Sequence, residues 1–395
     1  MPTSRLAHSL MLKGLKLNNC GLKRSKNVWR IWAQKISTSE VCPKCATLCT
    51  KLYDHREVRV KDAPIRDVPT ILIIRKRRFF CKKCAKPFTE PVHGIGKRNR
   101  STERFRRYIF DCCERYGDLK TVRKVAKCSA SYLYKNFYRL LDRKCALNKM
   151  HWPTTIGIDE HFFKHNKVYG HREFVTVLVN LNKHRLIEVV EGRASSILEA
   201  SLANISGREG VKNVVMDLST TYRSFAKQFF PNAKLVADKF HVLRLLNPSI
   251  NKYRKSILNT DKKNPVRYLL LKSAVNVDYF RRTALNKWLE GHKPLQEIYN
   301  YKESLFRLYR TKGFSKARKA LISMLDQMSE TTVPEIKTLR KTLLSWKNEI
   351  LAYFETRLTN ATTEGYNNKA KVIKRKAYGY RSFKNYRARL LAACS

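Results

Sequence analysis

The sequence predicts an α+β multidomain protein, and three observations carry that reading. β-Branched and aromatic residues alternate with Arg and Lys over roughly the first 95 residues; apolar residues recur at helical spacing from Ser101 to about Lys149 and again from about Asn247 to Asn360; and strand-like runs separated by polar turns lie between those helical stretches. At 395 residues the chain is too long for one ordinary core, so several structural units are expected. The composition changes divide it into 1–95, 96–150, 151–246, 247–360 and 361–395.

Charge narrows the function classes. Lys and Arg number 82 against 31 Asp and Glu, a net charge of +51 spread over most of the chain, which suits an extended polyanion such as nucleic acid. Membrane surfaces also attract basic chains, but no apolar run approaches the roughly 20 residues that span a bilayer, so a soluble protein without a membrane partner is expected. No secretory signal is visible. The first acidic residue is Glu40, and the Lys-, Arg- and Ser-rich stretch before it has the makeup of an organelle-targeting peptide, yet it runs directly into a cysteine module. The 11 cysteines are odd in number, dispersed, and include CxxC pairs, which fits a reducing compartment and metal binding better than a disulfide framework.

In the first segment, VRVKDAPIRDVPTILIIRKRRFFC reads as short strands around turns. Cys42 with Cys45 and Cys81 with Cys84 present four thiolates, the tetrahedral set that Zn²⁺ takes in a structural site, if the intervening strands bring the pairs together. Cys49 and His55 are alternative ligands, and the plain alternative is buried thiol. In the second segment Phe105, Ile109, Cys112 and Cys113 share one helical face. The run GDLKTVRKVAKCSASYLYKNFYRLLDRK then reads as a helix with Val122, Val125 and Ala126 inward, a KCSA turn, and a second helix from near Ala130. This is a helix-turn-helix pattern that exposes Ser129, Ser131, Tyr132, Lys135 and Arg139 to phosphates or bases, unless it is an ordinary helical hairpin.

The third segment reads β-β-β-α-β-α-β, from TTIGIDEHFF, EFVTVLVNL and RLIEVVEG through VKNVVMD to AKLVAD, which implies a sheet with helices packed on it. Asp159 ends TTIGID and Asp217 ends VVMD. Carboxylates at strand ends on one sheet edge can hold hard cations such as Mg²⁺, and two such ions about 3.5–4 Å apart activate a nucleophile and stabilise a leaving oxygen of a phosphodiester. Taken singly, each aspartate is more often a turn or cap residue. Asp238 and His241 form either a helix cap or a pair that orients a metal ligand or phosphate. The fourth segment carries helical apolar faces such as RYLLLKSAV and LSWKNEILAYFETRL, read as core. In the fifth, Glu364 starts TEGYNNKAKVIKRKA with Thr362 or Thr363 able to cap it, and Asn367, Asn368, Lys371 and Arg375 lie on or near its face. Either a metal carboxylate precedes groups for a nucleic-acid backbone, or this is a capped basic surface helix.

The order GIDE, MDLSTTYRSF, ADKFHVLRL and TEGYNNKAKVIKRKAYGYRSF closely resembles transposases of the ISL3 family, bacterial insertion-sequence enzymes with a DDE catalytic core, over essentially the whole chain. CPKC with FFCKKC resembles that family's zinc-binding module. The resemblance implies an RNase H-like α/β catalytic domain interrupted by a helical insertion, with Asp159, Asp217 and Glu364 as catalytic ligands of Mg²⁺ or Mn²⁺. Asp238 and His241 match an accessory element, and Asp238, which also ends a strand, is the alternative to Asp217 as second ligand. It further implies structural Zn²⁺, binding of terminal inverted repeats and target DNA, strand cleavage followed by strand transfer, and a homodimer or higher oligomer on DNA in the bacterial cytoplasm, associated with the nucleoid. Lys371, Lys374, Arg375, Tyr378, Tyr380 and Arg381 would grip DNA near the cut, with aromatic rings stacking on unpaired bases. Two other readings are a DNA-binding regulator with an inert catalytic domain and an RNase H-like nuclease without strand transfer.

Overall fold

The computed structural model describes residues 14–17, 23–25, 27–116, 118–146, 151–165, 170–259 and 265–394. They fall into two compact units, one running to Ala146 and taking in Arg375–Gly379, the other covering the chain on to Lys374 and from Tyr380 onward.

The first unit is built on strands β1 (Leu15–Leu17), β2 (Lys23–Ser25), β3 (Val28–Lys35), β4 (Glu40–Val41), β5 (Leu48–Cys49), β6 (Leu52–Ile65), β7 (Val68–Cys81) and β8 (Lys86–Thr89). Six of them form a sheet ordered β1-β3-β7-β6, with β2 beside β3 and β8 beside β7, while β4 and β5 pair separately. Part of the basic stretch before Glu40, including much of the segment with targeting composition, lies outside the described residues; of its described part, β1 and β2 pair with β3, and β3 pairs parallel with β7 inside the sheet. In place of several short strands, β6 and β7 are 14 residues each. Arg66 and Asp67 make this possible: both are left-handed, with φ of 49° and 60°, the turn whose twist matches that of the strands it joins. Ile31, Val60, Leu72 and Ile74 are buried at the centre of this sheet.

Helices α1 (Glu103–Tyr116), α2 (Leu119–Val125) and α3 (Ala130–Ala146) complete the unit. Asp118 caps α2, accepting from the amides of Lys120 and Thr121 at 2.8 and 3.1 Å. Val122 and Ala126 are buried as their spacing requires, but Val125 is exposed, because α2 ends there and the periodic face ends with it. Phe105, Ile109, Cys112 and Cys113 form the inward face of α1. Buried Asp62 on β6 accepts from Thr102 Oγ1 at 2.6 Å and pairs with Arg104, tying the sheet to α1.

The second unit has a five-stranded sheet of β9 (Thr155–His165), β10 (Arg172–Asn180), β11 (Arg185–Glu191), β12 (Asn213–Met216) and β13 (Lys234–Ala237). Its order is β11-β10-β9-β12-β13; the first three strands are antiparallel, and β12 and β13 run parallel to β9. Helices α4 (Ser195–Leu202) and α5 (Thr220–Phe229) connect the strands around β12. After β13 come α6 (Lys239–Leu243), α7 (Asn247–Leu258), α8 (Pro265–Leu271), α9 (Tyr279–Glu290), α10 (Lys293–Arg310), α11 (Phe314–Gln327), α12 (Pro334–Ser345), α13 (Lys347–Thr356), α14 (Ala361–Lys376) and α15 (Phe383–Cys394).

Sheet and helices share one core. It runs from Ile156, Ile158, Val215 and Val236 in the strands through Phe225 on α5 to Ile298, Leu305, Leu321, Ile336 and Ile350 in the helical array. Polar groups fasten it: Arg223 on α5 holds Glu349 on α13, with its Nε 2.7 Å from Oε1, and fully buried Lys302 donates to the carbonyls of Leu270 and Lys272 at 2.8 Å each, satisfying the end of α8. No helix among the described residues is long and apolar enough to cross a membrane.

Candidate functional site

The two CxxC turns converge. The sulfurs of Cys42, Cys45, Cys81 and Cys84 lie within 4.8 Å of one another, with Cys45 to Cys81 at 3.5 Å and Cys42 to Cys84 at 4.0 Å. A tetrahedron of Zn–S bonds has sulfurs about 3.8 Å apart, so the donor set and spacing fit Zn²⁺. Each turn is closed by an alanine in the left-handed region, Ala46 at φ 57° and Ala85 at φ 49°, and the Cys84 amide donates to Cys81 Sγ. Cys49 is buried beside the four but bonds the Thr47 carbonyl, and His55 lies on β6 against Arg75; neither belongs to the set.

In the second unit, parallel pairing sets Met216 beside Ile158, so Asp217, the next residue after β12, comes level with Asp159. Asp159 does not end its strand, since β9 continues to His165; the carboxylates meet where β12 stops alongside it. Ligand atoms of Asp159, Asp217 and His241 lie within 4.8 Å of one another. Asp159 Oδ1 accepts from the Glu160 amide and Oδ2 from Asn367 Nδ2, both at 2.8 Å. Among the described residues, Asp217 Oδ1 is buried without a hydrogen-bond partner. Burial raises Asp159 above the usual carboxylate range; burial, reinforced by the charges of Asp159 and Glu160 against the pull of His241, pushes Asp217 up to about 6. An orphaned carboxylate oxygen and two crowded acids are relieved by a cation between them, and oxygen donors suit Mg²⁺ or Mn²⁺, so these residues fit a hard divalent ion.

Asp238 has a different task. It stands at the N-cap position of α6, but its side chain makes no cap bond there. Its Oδ2 bonds His241 Nδ1 at 3.0 Å and its Oδ1 accepts from the Asn360 amide at 2.9 Å. Both oxygens are therefore engaged, and His241 is left with Nε2 for the two aspartates. Burial works against the Asp238 charge, but bonds from His241 and the Asn360 amide hold its carboxyl below the usual range, and the same bond to Asp238 raises His241.

Glu364 is not in the cluster. About half its side chain is exposed (51%), and Oε1 lies 3.8 Å from Arg244 Nη1. Its helix α14 starts three residues earlier than the sequence suggests, because Asn360 fixes the entry: its Nδ2 donates to the Ile158 carbonyl at 2.8 Å, and its Oδ1 takes the Thr363 hydroxyl. Gly157 leaves room for this, since a Cβ there would stand 2.4 Å from Asn360 Oδ1 and 2.5 Å from Thr363 Oγ1. The buried face of α14 is Thr363, Asn367 and Ala370. Asn367, which the sequence suggests faces nucleic acid, instead turns its amide inward: besides Asp159, its Oδ1 accepts from His161 Nδ1 at 2.9 Å, and His161 Nε2 accepts from the Tyr386 hydroxyl on α15. Burial lowers His161 to about 4, so it is neutral.

The remaining expected contact residues divide by exposure. Ser131, Lys135 and Arg139 are exposed on α3, and exposed Ser129 bonds the Tyr132 amide; Tyr132 is half-buried, its hydroxyl on Ser101 and its ring stacked on Phe105. Asn368, Lys371, Arg375, Tyr378 and Arg381 are exposed. Lys374 is not a free cation, because its ammonium is half-buried against the carbonyls of Phe162 and Phe163, and Tyr380 packs on Tyr386. Sequence reading missed Gly157, Glu160, His161, Asn360 and Tyr386; period-two alternation through GIDEH, which puts Asp159 and His161 on one face, was the available signal.

Residues 156–390 match the ISL3 family described as transposase, and residues 38–84 match the zinc finger of transposases IS204/IS1001/IS1096/IS1165. The chain belongs to the ISL3 family of transposases. A curated relative, the transposase for insertion sequence element IS1001 of Bordetella parapertussis, is 26% identical over 376 residues, covering 89% of this chain and 88% of the relative. In ISL3 terms, the zinc-finger match spans all four cysteines, and the transposase match spans every residue of the carboxylate cluster, all of α14 and α15 as far as Leu390.

Proposed function

We propose that this transposase binds the terminal inverted repeats of its own element, cleaves a strand at each end and joins the freed end to target DNA. The observation that carries the reading is the pair Asp159 and Asp217 on adjacent parallel strands, one oxygen of it buried and unsatisfied. The sheet order, with the fourth strand beside the first, supports an RNase H-like catalytic domain, in which the stretch 247–360 is a helical insertion. Asp159 and Asp217 would hold Mg²⁺ or Mn²⁺, with His241 beside them and Glu364 joining from α14. Divalent ions bound there supply positive charge to the attacking and leaving oxygens of a phosphodiester. The chain's own part is alignment: the Glu160 amide and Asn367 fix the Asp159 carboxylate, and Asp238 fixes the imidazole of His241.

DNA contact has support in the first unit. Two helices, α2 and α3, joined by the turn at Lys127–Ser129 support the helix-turn-helix reading, with Ser131, Lys135 and Arg139 exposed. A crevice of about 420 Å³ beside this turn has a largely apolar lining that includes Val60, Ile71 and Cys128, with Arg59, Lys61 and Arg100 also lining it. Exposed Asn368, Lys371, Arg375, Tyr378 and Arg381 would meet the backbone near the cut. Two ends must be held together, so the working form is at least a dimer on DNA.

The test is an assay with terminal-repeat DNA and Mg²⁺. Asp159→Ala should keep end binding and lose cleavage; cleavage that survives the substitution refutes the assignment. Pre-cut ends should yield joined products with the wild type, and their absence reduces the enzyme to a nuclease.

A further inference from the structure

We infer that Asn367 is a positioning residue that sets the Asp159 carboxylate for its cation, as the last link of a buried hydrogen-bond chain from Tyr386 through His161. The donors run one way. The Tyr386 hydroxyl donates to His161 Nε2, His161 Nδ1 donates to Asn367 Oδ1 at 2.9 Å, and Asn367 Nδ2 donates to Asp159 Oδ2 at 2.8 Å. The carboxylate only accepts, so it fixes the amide: a flip would set Asn367 Oδ1 against Asp159 Oδ2 and lose that bond, and with Oδ1 turned to His161 the ring must donate from Nδ1. His161, Asn367 and Tyr386 are buried, which removes water as a substitute partner.

Position on the chain gives the link its consequence. Asn367 sits on α14, the helix that also bears Glu364, while Asp159 and His161 share one face of β9. The Asn367 bond therefore couples docking of that helix to the orientation of the first aspartate. Tyr386 closes the far end, its ring against Phe163 at 5.1 Å, so α15 braces the same chain. Oδ2 keeps a second lone pair after accepting from Asn367, and that lone pair is directed by the bond. Partners that orient a ligand in this way typically change metal affinity or activity by roughly 10- to 100-fold when removed.

The inference rests on the proposed reading that Asp159 and Asp217 hold the divalent ion, and the experiment separates the two. Mn²⁺ binding to the full chain without DNA is followed by electron paramagnetic resonance, together with thermal melting and the Mg²⁺ dependence of end cleavage, for wild type, Asp159→Ala, Asn367→Leu and Tyr386→Phe. Folded Asn367→Leu should bind Mn²⁺ roughly 10- to 100-fold more weakly and need correspondingly more Mg²⁺ for half-maximal cleavage. A purely structural role would lower the melting temperature and leave Mn²⁺ affinity at the wild-type value; that result overturns the inference. Should Asn367→Leu fail to fold, Tyr386→Phe decides in its place, with weaker Mn²⁺ binding supporting the chain and unchanged binding overturning it. Wild type and Asp159→Ala binding Mn²⁺ alike would defeat the metal reading itself, and the inference with it.

Discussion

Replacing Gly157 by alanine tests how closely the start of α14 must approach β9. No positive φ protects the glycine, so the backbone accepts alanine and the added methyl alone acts. That carbon would stand 2.4 Å from Asn360 Oδ1, 2.5 Å from Thr363 Oγ1 and 3.0 Å from Leu181 Cδ2. Relief requires α14 to retreat by about 1 Å, against overpacking strain of about 1–3 kcal/mol. Retreat also stretches the 2.8 Å bond from Asn360 Nδ2 to the Ile158 carbonyl, and a buried bond left unmade costs about 1–3 kcal/mol. The sum is a loss of about 2–6 kcal/mol in urea unfolding of the full chain. Displacement of Asn367 and Glu364 by a similar distance should lower end cleavage at saturating DNA by about 100-fold. A variant within about 0.5 kcal/mol of wild type that cleaves normally would refute the argument, because it would mean that α14 is not seated against the strand.

Three further outcomes follow from the first unit. Wild-type protein should carry about one zinc per chain, falling sharply in Cys45→Ser and Cys84→Ser; atomic emission reading below about half an equivalent in the wild type would count against the four-sulfur site. Ala85→Gly should stabilise the zinc-loaded protein by up to about 1 kcal/mol, since the left-handed turn costs an L-residue about 1–2 kcal/mol and glycine returns part of that as unfolded-state freedom; a loss of stability in urea would contradict the φ of 49°. Replacing Arg59 and Arg100 together by alanine should weaken DNA binding and make the slope of log affinity against log salt shallower by about 0.9 for each phosphate that is no longer neutralised. An unchanged slope would remove the crevice from the DNA surface.

What the sequence disclosed was what repeats at a simple period or spacing. CxxC pairs announce themselves, and alternation in TTIGIDEHFF, EFVTVLVNL and RLIEVVEG gives the three antiparallel strands. The long β6–β7 hairpin reads as several strands because Pro64 and Pro69 look like breaks. Pro64 is tolerated because β6 is an edge strand with an irregular register near Asp62, and Pro69 because it stands at the start of β7. The site was harder. Buried stripes are sought through apolar residues, but the inward face of α14 is Thr363, Asn367 and Ala370, two of them polar, so periodicity alone turns Asn367 outward. Asp238 offered a second difficulty: cap, ligand and brace are the same residue type at the same spacing, and only the partners of its two oxygens distinguish them.

The Asn367 partner of Asp159 lies 208 positions after it, and Asn360, which holds the Ile158 carbonyl, 202 positions after that carbonyl. During synthesis the strand bearing the first aspartate thus leaves the ribosome long before the residues that orient it. A message cut short ahead of Asn360 would yield a protein that retains the sheet and helices before Ala146 but whose Asp159 lacks its Asn367 partner. Such a fragment could compete for whatever that unit recognises while lacking the helix that carries Asn367 and Glu364, so the long interruption between the two halves makes completion of the site wait for translation to pass the final helices.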